Sequence, residues 1–79
     1  MMNKKVFRNR VISVQGMYIK YDENGEIGLA GDILNANFFY DKEYCEKVAN
    51  SLIEKFPHTE IEVQKLYMEI EVQETTIIT

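Results

Sequence analysis

His58 and Cys45, each the sole residue of its type in a chain of 79 residues, have the widest chemical repertoire here. A histidine can serve as a general base, but only with a nucleophile or acid within hydrogen-bond reach. His58 falls where a helical pattern gives way to a strand pattern, and the competing role there is to meet the last helical carbonyls or the helix dipole. Cys45 lies on an apolar helical stripe, where a thiol acts as a small hydrophobe with a raised pKa. Most of a helix separates the two, about 20 Å at ~1.5 Å per residue, so they form no dyad. No Cys or His spacing suits zinc, and Gly25, Gly28 and Gly31 lack the lysine and following helix of a phosphate loop. The residues therefore predict no catalytic group, no metal and no cofactor.

The carboxylates are the more suggestive set. Glu60, Glu62, Glu69 and Glu71, with Tyr67 among them, fall near the end of the chain opposite the apolar residues of a strand. They predict an acidic, solvent-facing stripe, with two readings: a face kept soluble by charge, or a surface offered to a basic protein site in partial imitation of a nucleic-acid backbone. Charge is distributed to match. Residues up to Tyr40 carry five basic and four acidic side chains, whereas Asp41 onward carries four basic and nine acidic, within a net charge of −4. Arg8 and Arg10 are expected beside Glu69 and Glu71 through antiparallel pairing, neutralising part of the acid. Direct nucleic-acid binding would need a basic face with stacking aromatics, and Lys4, Lys5, Arg8, Arg10 and Phe7 are too few for one.

The elements that must position these groups follow from periodicity. Lys5 to Tyr21 alternates as a strand, with Ile12 and Val14 on one parity and Met17, Ile19 and Tyr21 on the other, so a bulge or bend is expected at Gly16. Asp22-Glu23-Asn24-Gly25 predicts a hairpin turn, and Ile27, Leu29, Gly31 and Ile33 a second strand over about Glu26 to Leu34. Asp41 suits a helix cap. Tyr44, Cys45, Val48, Ala49, Leu52, Ile53 and Phe56 then form one stripe on a 3.6-residue period, ended by Pro57. Ile61 and Val63 begin the last strand, whose parity flips beyond Gln64 and Lys65 to Leu66, Met68, Ile70 and Val72; a second bulge is expected there.

The prediction is a single α+β domain over residues 1–79: β-β-α-β, a curved, mainly antiparallel three-stranded sheet in the order 2-1-3, with one helix on one face. Its hydrophobic content of 46% with 4 Phe and 5 Tyr is too apolar for a disordered chain. One cysteine permits no internal disulfide, no run reaches the length of a membrane span, and the basic opening has no signal-peptide core. These features predict a cytoplasmic protein without membrane contact. Free strand edges or the uncovered sheet face offer a homodimer contact.

The basic opening strand Lys4 to Val14 and the closing Glu/Val/Ile strand Glu60 to Val72 after a lone amphipathic helix give the chain a layout that resembles small phage-encoded accessory proteins. Anti-CRISPR proteins and other inhibitors of host nucleases, polymerases or repair enzymes are among them. The resemblance implies a non-enzymatic inhibitor or modulator in a bacterial host cell, whose partner is a larger, nucleic-acid-handling host protein. Glu60, Glu62, Tyr67, Glu69 and Glu71 are the expected partner-binding residues, with a homo-oligomeric module that pairs through its sheet edge or open face as the alternative.

Overall fold

A computed structural model describes residues 4–79. Four strands and one α-helix follow one another as β1 (Lys4–Val14), β2 (Met17–Tyr21), β3 (Ile27–Ala30), α1 (Lys42–Lys55) and β4 (Ile61–Glu71), with a 3-10 turn at Ile33–Asn35. The sheet is antiparallel throughout, in the order β3-β2-β1-β4. The α+β class and the single helix agree with the sequence. The three-stranded sheet in the order 2-1-3 does not.

The extra strand arises at Gly16. Gln15 and Gly16 both adopt positive φ, 49° and 81°, and Val14 pairs directly with Met17 across them. Two consecutive left-handed residues between paired strands make a type I′ hairpin, the turn whose twist matches that of the strands. A two-residue turn shifts apolar parity just as a one-residue bulge does, which is why both share one sequence signature. The chain reverses at Gly16, and Ile12, Val14 and Ile19 still reach one core.

The next hairpin forms as expected. The Asp22 carboxylate accepts from the N–H groups of Asn24 (2.8 Å) and Glu26 (2.9 Å), and Gly25 takes φ of 77°. β3 ends at Ala30, short of the predicted Leu34, because Asp32 caps the 3-10 turn by accepting from the Leu34 N–H. The chain then wedges between β1 and β2 where they diverge. Asn37 donates its N–H to the Ile19 carbonyl, and Phe39 and Arg10 exchange two backbone bonds of 2.8 and 2.9 Å.

Asp41 caps α1 through the Glu43 N–H at 3.0 Å. The helix lays Cys45, Val48, Ala49 and Leu52 on Ile12, Val14, Ile19 and Phe39, with Ile27, Leu29, Phe56 and Ile61 around them. Tyr44 and Ile53, at the margins of the stripe, are exposed. This cluster takes no residue of β1 before Ile12 and none of β4 beyond Ile61.

The predicted bulge in β4 is absent. Partners advance one residue at a time on both strands, from Lys4 opposite Glu71 to Val14 opposite Ile61. Side chains therefore alternate strictly, and the parity flip at Lys65 marks a change in which face is apolar. Ile61 and Val63 face the helix; Leu66, Met68 and Ile70 lie on the reverse face with Phe7 and Val11.

Candidate functional site

The outer halves of β1 and β4 extend past the helix as a two-stranded arm, residues 4–9 against 66–71, roughly 20 Å long at ~3.3 Å per residue. The molecule measures 52 × 24 × 21 Å with a radius of gyration of 15.8 Å, where about 12 Å is usual for a compact chain of this length. The arm and the terminal segment 72–79, without regular structure, account for the excess. Val6 and Tyr67 are exposed on the helix side of the arm and Ile70 on its reverse. An isolated two-stranded ribbon is marginal in water, so the arm is the part of the fold with most to gain from a partner.

The backbone of β4 fixes where that gain lies. Gln15 donates its N–H to the Glu60 carbonyl (3.2 Å), which makes Gln15/Glu60 a hydrogen-bonded position of the β1·β4 ladder. Alternation along the continuous register then turns the N–H and C=O groups of Leu66, Met68 and Ile70 toward β1. Those of Ile61, Val63, Lys65, Tyr67, Glu69 and Glu71 point away from the sheet, where no strand follows among the described residues. The outer edge is eleven residues long, without proline or bulge.

The side chains on this edge sort by charge. Lys4 Nζ lies 3.1 Å from Glu69 Oε1, and the Arg8 guanidinium sits over the Tyr67 ring at 5.7 Å from its centroid. Lys65 stands directly opposite Arg10, and among the described residues it makes no ion pair. Like charges facing across a ladder are destabilising, so the base of the arm holds an unneutralised positive cluster. The expected Arg8 and Arg10 opposite Glu69 and Glu71 fall instead opposite Tyr67 and Lys65; Lys4 is the cation that reaches Glu69.

The five residues singled out in the sequence divide into two groups. Tyr67, Glu69 and Glu71 share the helix-side face of the arm, whereas Glu60 and Glu62 lie on the reverse face at the body end of the strand. The side chains of Glu60 and Glu62 are hydrogen-bonded to each other. That bond pushes the Glu60 carboxyl up and holds the Glu62 carboxylate down, and Gln64 Nε2 donates to Glu62 Oε2 at 3.2 Å. They flank a shallow cleft of about 330 Å³ with Ser13, Gly16 and Tyr18. No single acidic stripe forms, because the stripe depended on the bulge that β4 lacks.

The other candidates lie apart. Cys45 is fully buried in the core, where burial pushes its thiol up. His58 takes a φ of 60° in the turn after Pro57, at the far end of the helix. The described residues bring together no group of three or more potential metal ligands, and none of their helices is long and apolar enough to cross a membrane. On the reverse face Asn9 is only 3% exposed, and its Oδ1 has no hydrogen-bond partner among the described residues. Sequence reasoning pointed to a free edge on the last strand and missed Lys65 as the cation on it. The available signal was the parity flip at Gln64-Lys65, which has no glycine to mark a bulge.

The chain matches no known family model, no curated protein and no solved structure.

Proposed function

We propose that the protein is a non-enzymatic interaction module that binds a partner by adding a strand to the outer edge of β4. The observation that carries this reading is the eleven-residue edge of outward N–H and C=O groups on an arm with apolar side chains on both faces. Main-chain hydrogen bonds supply the affinity in this mode, and alternate side chains supply the selectivity. Tyr67, Glu69 and Glu71 flank the added strand on one face and Leu66, Met68 and Ile70 on the other. An inhibitor or modulator of a larger protein can work this way by occupying its strand edge. The Glu60/Glu62 pair is a separate negative patch that would meet a basic group on a partner reaching the body of the sheet.

Proline at an outward position tests the reading. Tyr67→Pro removes an N–H that β1 does not use, so the fold is kept, whereas Leu66→Pro removes a ladder bond. With far-UV circular dichroism confirming the fold, Tyr67→Pro is expected to lose any partner that the wild type binds. Equal binding by both proteins would refute edge pairing.

A further inference from the structure

Resting on the edge-binding reading, we infer that the added strand is β4 of a second copy, paired antiparallel about a two-fold axis through Tyr67. The residues themselves select this register. With Tyr67 opposite Tyr67, Lys65 of each copy stands directly opposite Glu69 of the other, twice per dimer, while Leu66 meets Met68 on the reverse face. Each Lys65, confronted by Arg10 inside its own chain, gains the anion it lacks. The outward backbone groups of Val63, Lys65, Tyr67, Glu69 and Glu71 all find partners, and two four-stranded sheets join into one of eight with both helices on one side.

Neighbouring registers do worse. Centring on Lys65 sets two lysines against each other, and centring on Leu66 sets Lys65 against Tyr67 and Val63 against Glu69. Centring on Met68 puts Lys65 opposite Glu71 but shortens the ladder by two residues and leaves Glu69 facing Tyr67. The free inner edge of β1 is a poorer choice, because self-pairing about Val6 sets Lys4 against Arg8. Against self-pairing stands the use of a mid-strand lysine to keep sheet edges apart. In this chain the lysine has its complement two residues past the axis.

The test is sedimentation equilibrium from low micromolar to near-millimolar concentration. The wild type is expected to reach the dimer mass, and K65E or E69K alone to raise the dimer Kd about tenfold, since each sets like charges together twice. The double variant K65E/E69K is expected to return within about threefold of the wild type, because the swapped charges again meet across the axis. K4M, which removes only the internal partner of Glu69, is expected to dimerise as the wild type does. A wild type that stays monomeric overturns the inference, as does a double variant no better than either single one. Restoration by K65E/E71K instead overturns the register. If the wild type is monomeric but binds another protein that Tyr67→Pro does not, the edge reading stands without the dimer. If Tyr67→Pro dimerises as well as the wild type, the edge reading itself fails.

Discussion

Replacing Gly16 with alanine isolates the turn that makes the sheet four-stranded. A Cβ built at Gly16 meets nothing within 4 Å, so any loss of stability comes from holding an L-residue at φ of 81°. That conformation costs an L-residue about 1–2 kcal/mol, and in a domain of this size each 1 kcal/mol lowers Tm by roughly 4–8 °C. Gly16→Ala is therefore expected to melt about 4–16 °C below the wild type in a thermal scan followed by circular dichroism. Gly31→Ala is the control: its Cβ is equally unobstructed and its φ is not left-handed, so the substitution should be neutral or slightly stabilising. Gln15→Asn is the complement, since asparagine tolerates the positive φ that Gln15 holds and Asn-Gly is a preferred type I′ pair. A modest rise in Tm is expected. A bulge in one continuous strand would leave residue 15 extended and give no such rise. Equal Tm values for Gly16→Ala and Gly31→Ala would refute the turn.

Leu52, 1% exposed in the core, should lose about 2–5 kcal/mol on change to alanine in urea unfolding, whereas Leu34, 75% exposed, should lose almost nothing. Asn9→Leu removes the buried, unpartnered Oδ1 and is expected to stabilise the protein by about 1–3 kcal/mol, read as a higher urea midpoint; a lower midpoint would show that the amide is satisfied in solution. Burial pushes the Cys45 thiol up, so the folded state holds its proton more tightly than the unfolded state. That contribution is complete below the ordinary thiol pKa and is lost as pH rises from there through the folded value. At mildly alkaline pH an alkylating reagent should label Cys45 only as fast as the protein opens, and rapid labelling of the native state would contradict its burial.

What the sequence disclosed followed from the reach of each signal. The Asp41 cap, the 3.6-residue stripe from Tyr44 to Phe56 and the Asp22 to Gly25 turn are local devices, and each appears at the residues that encode it. Parity is ambiguous over longer range. At Gly16 the flip marks a chain reversal; at Lys65 it marks an apolar stripe passing from the helix side to the reverse face. Nothing local separates these from a bulge, because the difference lies in which strand is paired and what covers each face. The candidate site inherited that ambiguity. A bulge would put Glu60 and Glu62 on the face of Glu69 and Glu71, and the continuous register sends them to opposite sides. The wedge at Asn37 to Phe39 carried no periodic signal, since it fills a gap that the other strands create.

Amide hydrogen exchange along β4, followed by NMR in dilute and concentrated samples, tests the open edge most directly. Met68 and Ile70, bonded to β1, should be protected at both concentrations. The outward amides of Val63, Lys65, Tyr67 and Glu69 should exchange freely when dilute and become protected when concentrated. Outward amides already protected in the dilute monomer would contradict the open edge, and outward amides that stay unprotected at every concentration would contradict its pairing with a second copy.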